Sequence, residues 1–211
     1  MNNRRRAIMG IAKSGGRLPS AYQEVEYLES TGEQYINTQY TPVQYDEFEI
    51  SKVKIDPYSS ISCVLSAGDS NAQLPFIAVI TLSGTTVYFK YFATGAAPEN
   101  SNVSLQTDTT IKITSNGELY YDDNLVLTSP YEGPLGDYPL YLFSRNGASQ
   151  FMKGTMGCIK ITNNNITKHY YIPCYRKADN KPGMYDLVNG VFYTNANTSA
   201  STDFIIGNDV N

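Results

Sequence analysis

The chain has 211 residues, 41% of them apolar, which is enough for one sizeable core but cramped for two full domains. Tyrosine (18) and phenylalanine (8) are abundant, tryptophan is absent, and frequent Ser, Thr and Asn favour strands joined by turns over helices. The net charge of −4 argues against nucleic-acid binding by the body, and no apolar run is long enough to span a bilayer.

Residues 1–17 are a separate electrostatic object. Arg4, Arg5, Arg6, Lys13 and Arg17 have no acid among them, so this arm is +5 against the −4 of the whole chain and leaves −9 for the rest. The apolar run from Ala7 to Ala12 is shorter than the roughly 7 to 15 residues of a secretory h-region, which argues against a cleaved signal. Ser14-Gly15-Gly16 reads as flexible. The arm is expected to be either a solvated tail or a basic anchor that lies along an acidic partner surface or nucleic acid.

Residues 18–211 read as one domain. Tyr22 to Leu28 alternates apolar and acidic residues as a half-buried strand does, and Ser30 to Glu33 turns the chain into Gln34 to Asn37. Further strands are expected over Glu47 to Ile55, Ile61 to Ala67, Phe76 to Leu82, Thr86 to Phe92 and Thr109 to Thr114, nearly all bounded by turn formers. Glu118 to Thr128 predicts a hairpin centred on Asp123 and Asn124, residue types that tolerate positive φ. Pro139 to Phe143, Gly157 to Thr162 and His169 to Ile172 complete the pattern. Helix signals are weak throughout, and any helix should be a single turn. Short strands joined by linkers too short for helical crossovers predict an all-β, antiparallel two-sheet β-sandwich.

The chemistry-bearing residues are sparse. Cys63, Cys158 and Cys174 are odd in number and form no CxxC pair, so free thiols are expected, with a single disulfide left open. Glu47 and Glu49 share a strand face, as paired glycosidase carboxylates do, but the Glu-x-Asp-x-x-Glu pattern of sandwich glycosidases is missing and a solvated face explains them. The single histidine, His169, has no Gly-x-Ser-x-Gly nucleophile and reads as exposed at a strand end. Asp122, Asp123 and Asn124 are better explained by the hairpin than by calcium, and no phosphate-cradling loop appears, so neither metal nor cofactor is expected. Tyr88 and Tyr91 could stack on sugar rings or alternate into the core, and Asn146 and Gln150, in a loop beside Arg145, are polar contact candidates with it. In the closing segment Tyr171 to Asn195, Arg176 is expected to pair with Asp179 or Asp186, with Tyr185 packed beside them, as a structural clasp.

Leu18-Pro19, Val25 to Gly32, Gln34-Tyr35-Ile36, Tyr141-Leu142-Phe143, Gly154 with Gly157, and the segment from Pro173 to Asn195 together resemble a family of phage and prophage structural proteins. The family carries a concanavalin A-like, laminin-G-like jelly roll, and the likeness covers most of Leu18 to Gly207. It implies a non-enzymatic virion protein, assembled in the host cytoplasm and exposed on the particle surface. A capsid decoration or head-fibre protein is the first expectation, held by the arm to major capsid or other virion proteins in several copies. The alternative is a carbohydrate-binding host-receptor module of a tail or head fibre, whose partners are glycans; a glycoside hydrolase using Glu47 is the third.

Overall fold

A computed structural model describes residues 17–59, 61–68, 76–82, 85–94, 99–100 and 103–210. These form strands β1 (Tyr22–Glu24), β2 (Leu28–Thr31), β3 (Ile36–Asn37), β4 (Asp46–Ile55), β5 (Ile61–Ala67), β6 (Phe76–Leu82), β7 (Thr86–Ala93), β8 (Glu99–Asn100) and β9 (Thr109–Ile113). The second half contributes β10 (Glu118–Tyr121), β11 (Asn124–Thr128), β12 (Tyr141–Leu142), β13 (Lys153–Met156), β14 (Ile159–Asn163), β15 (Ile166–Arg176), β16 (Lys181–Asp186), β17 (Val191–Thr194) and β18 (Ile205–Ile206). No helix occurs among the described residues.

Two antiparallel sheets result, as the strand pattern predicts. The larger runs β11-β10-β9-β4-β14-β15-β16-β17, with β1 on β15 and with β13, β2 and β18 extending from β4; the smaller runs β3-β12-β5-β6-β7-β8. Alternation decides what each strand buries. On β4, Phe48, Ile50, Val53 and Ile55 face the core while Glu47, Glu49 and Lys54 face out. They meet Ile111, Ile113, Ile159, Ile161 and Tyr171 of the same sheet, and Leu65, Val79, Val87, Phe89 and Leu142 of the other. Burial of this apolar set is the main stabilising term.

Irregularities sit where strands change partner. Between Ile50 and Val53 the ladder of β4 slips against β9, with Lys52 at φ 50°, and beyond it Lys54 and Ile55 pair with β13 instead. Such a bulge re-aims a strand. The single strand expected over Tyr22 to Leu28 is divided: the Val25 amide donates to the Pro173 carbonyl (3.0 Å) and the Glu26 amide to that of Asn208 (2.9 Å), so the chain crosses from β15 to β13 there. The hairpin turn is shifted by one residue from its expected centre. Asp122 (φ 47°) and Asp123 (φ 67°) occupy both positive-φ positions and Asn124 already opens β11.

Candidate functional site

The outer face of the large sheet carries a groove of about 330 Å³. Its walls come from Glu47 and Glu49 on β4, Lys112 on β9, Lys160 and Thr162 on β14, and Thr167 on β15. Register fixes their proximity, because Glu49 lies opposite Lys112 on one side and Lys160 on the other, while Glu47 faces Thr162. A further recess of about 180 Å³, lined by Glu49, Ser51, Cys158, Lys160 and Tyr170, continues the groove. Glu47 accepts from the Ser115 hydroxyl (2.9 Å) and the Thr162 hydroxyl (3.3 Å), and Lys112 is paired with Asp123. The side chains of Glu49 and Lys160, at the centre, make no hydrogen bond or ion pair among the described residues.

Arg17 closes the far end. Its guanidinium grips Glu24 through two nitrogens, bonds the Tyr170 hydroxyl and lies over the Tyr170 ring, 5.4 Å from its centroid. Of the arm residues expected to anchor the chain, Arg17 is therefore tied to the body, whereas Arg4, Arg5, Arg6 and Lys13 lie outside the described residues. Burial raises the Cys158 thiol, partly offset by Arg17, and pushes Cys63 and Cys174 up to about 12, so none of the three is a ready nucleophile at neutral pH. All three are free. No group of three or more potential ligands is placed to hold a metal ion among the described residues.

The expected aromatic patch is not assembled. Tyr91 is fully buried and crosses between the sheets to donate its hydroxyl to the Asp46 carbonyl (3.0 Å), while half-buried Tyr88 sits on the opposite face of β7. Arg145, Asn146 and Gln150 follow β12, which β5 and β6 separate from β7. Asn146 (φ 52°) locks that turn by accepting from the Ser66 hydroxyl (3.1 Å), and the Gln150 carbonyl accepts the Cys63 amide (2.9 Å). Asn146 thus braces the loop with its side chain, and Gln150 with its backbone carbonyl. Lys112, Lys160, Thr162, Thr167 and Tyr170, which line the groove instead, are not singled out by sequence.

The clasp is also built differently from expectation. Arg176 does pair with Asp179 through two bonds (2.9 and 2.6 Å), but both side chains are nearly half exposed and Arg176 does not hold Asp186. Asp186 is fully buried and bound by His169 Nδ1 at 2.7 Å. His169, expected at the surface, stacks on Tyr171 (centroids 5.4 Å, planes 4° apart) and touches the Tyr40 ring. The reason is alternation: His169 lies opposite buried Ile161 and two residues from buried Tyr171. Tyr185 packs on Tyr22 (4.7 Å). Because exposed ion pairs contribute little, Arg176→Ala is expected to move the melting temperature by no more than about 2 °C in a thermal denaturation scan.

No protein-family model matches the chain, and no curated protein matches its sequence. Solved structures do resemble the fold. The CBM40 domain of the Ruminococcus gnavus IT-sialidase bound to alpha2,3 sialyllactose aligns with 70% of this chain and 92% of its own at 14% identity, TM-score 0.50. The same domain without that ligand aligns over 69% and 91%, also at 14% identity and TM-score 0.50. NanB in complex with Optactamide aligns with 87% of this chain and 38% of its own at 10% identity, TM-score 0.51. The likeness is one of fold. It places the two antiparallel sheets among jelly-roll-like β folds.

Proposed function

We propose that this chain is a non-catalytic carbohydrate-binding module that holds an oligosaccharide in the outer groove over β9, β4 and β14. The observation that carries this is the unengaged Glu49–Lys160 pair at the centre of a groove rimmed by Thr162, Thr167 and Tyr170. A carboxylate accepts from vicinal sugar hydroxyls, an ammonium donates to ring or carboxyl oxygens, and a tyrosine face stacks on the apolar side of a pyranose. The sialyllactose-bound CBM40 domain of similar fold supports the same reading. Hydrolysis is less well supported, since Glu47 already accepts from Ser115 and Thr162 and, among the described residues, no carboxylate lines the opposite wall of the groove from Glu47 and Glu49.

A glycan array followed by calorimetric titration of the hits tests this. Saturable binding is expected, weakened about tenfold or more by Lys160→Ala and by Glu49→Gln, a loss of about 1.4 kcal/mol in binding free energy. An array without hits, or variants that bind as the wild type does, would overturn it. Sugar release that disappears in Glu47→Gln would favour hydrolysis. The phage-particle setting rests on the sequence resemblance alone and is a separate proposal: a chain lacking residues 1–16, which keeps Arg17 on Glu24 and Tyr170, should retain its glycan affinity and lose its place on particles.

A further inference from the structure

A second recess opens on the same face of the large sheet, beyond the bulge in β4. It measures about 360 Å³ and is bounded by Tyr27, Glu29, Lys54, Asp56, Tyr58 and Lys153. Cross-strand register sets Glu29, Thr155 and Lys54 in one row on the outward face, behind which Leu28, Met156 and Ile55 are buried.

Tyr58 is the most exposed large hydrophobic side chain among the described residues, at 92%. Its turn is nevertheless held from several sides. The Tyr58 amide donates to the Asp56 carboxylate (2.9 Å), and the Ser59 amide to the Asp56 carbonyl (2.9 Å). Asp56 is itself tied to β13 by its own amide to the Lys153 carbonyl (2.9 Å) and by the Lys153 ammonium (2.8 Å). Pro57 removes the remaining freedom at φ. The backbone that carries this ring is fixed in advance, so a planar apolar partner stacking on it has only the side chain's own rotamers to order. Tyr27, by contrast, is half-buried and held by packing: its ring lies so close to Gly207 that a Cβ there would stand 2.9 Å from the ring edge.

The charges of the recess balance. Lys153 is neutralised by Asp56, and Lys54 stands across Thr155 from Glu29. A ligand that suits aromatic faces, hydrogen-bonding rims and no net charge is a neutral pyranose. We infer that this recess is a second saccharide site, which stacks a neutral sugar ring on Tyr58, with Asp56 and Glu29 accepting from its hydroxyls and Lys54 donating to its oxygens. It deepens the glycan-binding reading and rests on it. The five residues from Glu49 to Lys54, shortened by the bulge between them, place the two sites at most about 17 Å apart along β4, so one branched or extended glycan could engage both and gain by effective concentration.

Amide-shift mapping of the whole labelled chain separates the two sites. Methyl glycosides of glucose, galactose and N-acetylglucosamine serve as neutral probes, and sialyllactose as the probe of the outer groove. At least one neutral glycoside should shift Tyr27, Tyr58 and Thr155 saturably, with at least tenfold weaker binding in Tyr58→Ala, recovery in Tyr58→Phe, and unchanged melting of both variants. Groove shifts at Glu49 and Lys160 without any response at Tyr58 would overturn the second site and leave the proposed function standing. Silence at both sites with every probe would count against both.

Discussion

Replacing Asp186 with alanine is expected to destabilise the fold by about 3–5 kcal/mol, because several buried donors lose their acceptor at about 1–3 kcal/mol each. Five donors converge on this carboxylate. Oδ2 accepts from His169 Nδ1 (2.7 Å) and the Asn189 amide group (2.7 Å), and Oδ1 accepts the backbone amides of Tyr170 (3.2 Å), Val188 (3.1 Å) and Asn189 (3.4 Å). Alanine leaves them buried without an acceptor and releases the turn between β16 and β17. For a chain of this length the loss corresponds to a melting temperature lower by roughly 10 °C. Burial alone would raise the Asp186 carboxyl, but the bonds from His169, Asn189 and the Tyr170 amide outweigh it and hold it at about 2. The folded value lies below the unfolded value of about 3.9, so the stabilisation is complete above pH 4 and is lost as pH falls towards 2. Chemical denaturation at pH 6, 4 and 2.5 should therefore show acid sensitivity in the wild type that is reduced in Asp186→Asn.

Gly154→Ala is expected to be nearly as damaging, at about 3 kcal/mol or more. Gly154 has φ +147°, a region that side-chain-bearing residues rarely enter, and an added Cβ would stand 2.0 Å from the Lys54 carbonyl oxygen and 3.0 Å from Ile55 Cα. Both are backbone atoms of the neighbouring strand and cannot rotate away. Relief would require β13 to separate from β4, opening the second recess as well as the core behind it. Reduced soluble yield or a melting temperature lower by several degrees should follow, whereas Thr155→Ala, on the same strand but facing outward, should be mild.

These two positions illustrate what sequence discloses. Gly154 belongs to the set of residues that carries the resemblance, and the structure supplies its physical reason. Asp186 lies in the closing segment that also marks the fold, yet its partner is not legible there, because His169 sits between Lys168 and Tyr170 and looks solvent-facing without the register of β15. Strands bounded by clear turn formers, such as Ile61–Ala67 and Phe76–Leu82, are readable to the residue. β15 is not: Pro173 discourages extension, but its carbonyl accepts from Val25 and the strand continues to Arg176. Glu47 and Glu49 share a face by strand periodicity alone. That Lys112 and Lys160 flank them depends on pairing β4 with strands far away in the chain, which local pattern does not encode. Tyr91 fails as a ligand contact for the same reason. Its periodicity permits either face, and only the second sheet's position buries it.

The most direct test is amide-shift mapping of the labelled wild-type chain with the strongest hit from the glycan array. Binding in the outer groove requires the largest shifts at Glu49, Lys112, Lys160 and Thr162, with little change around Asn146 and Gln150. Saturable binding whose shifts fall on the turn after β12, or anywhere other than the outer face of the large sheet, would contradict it.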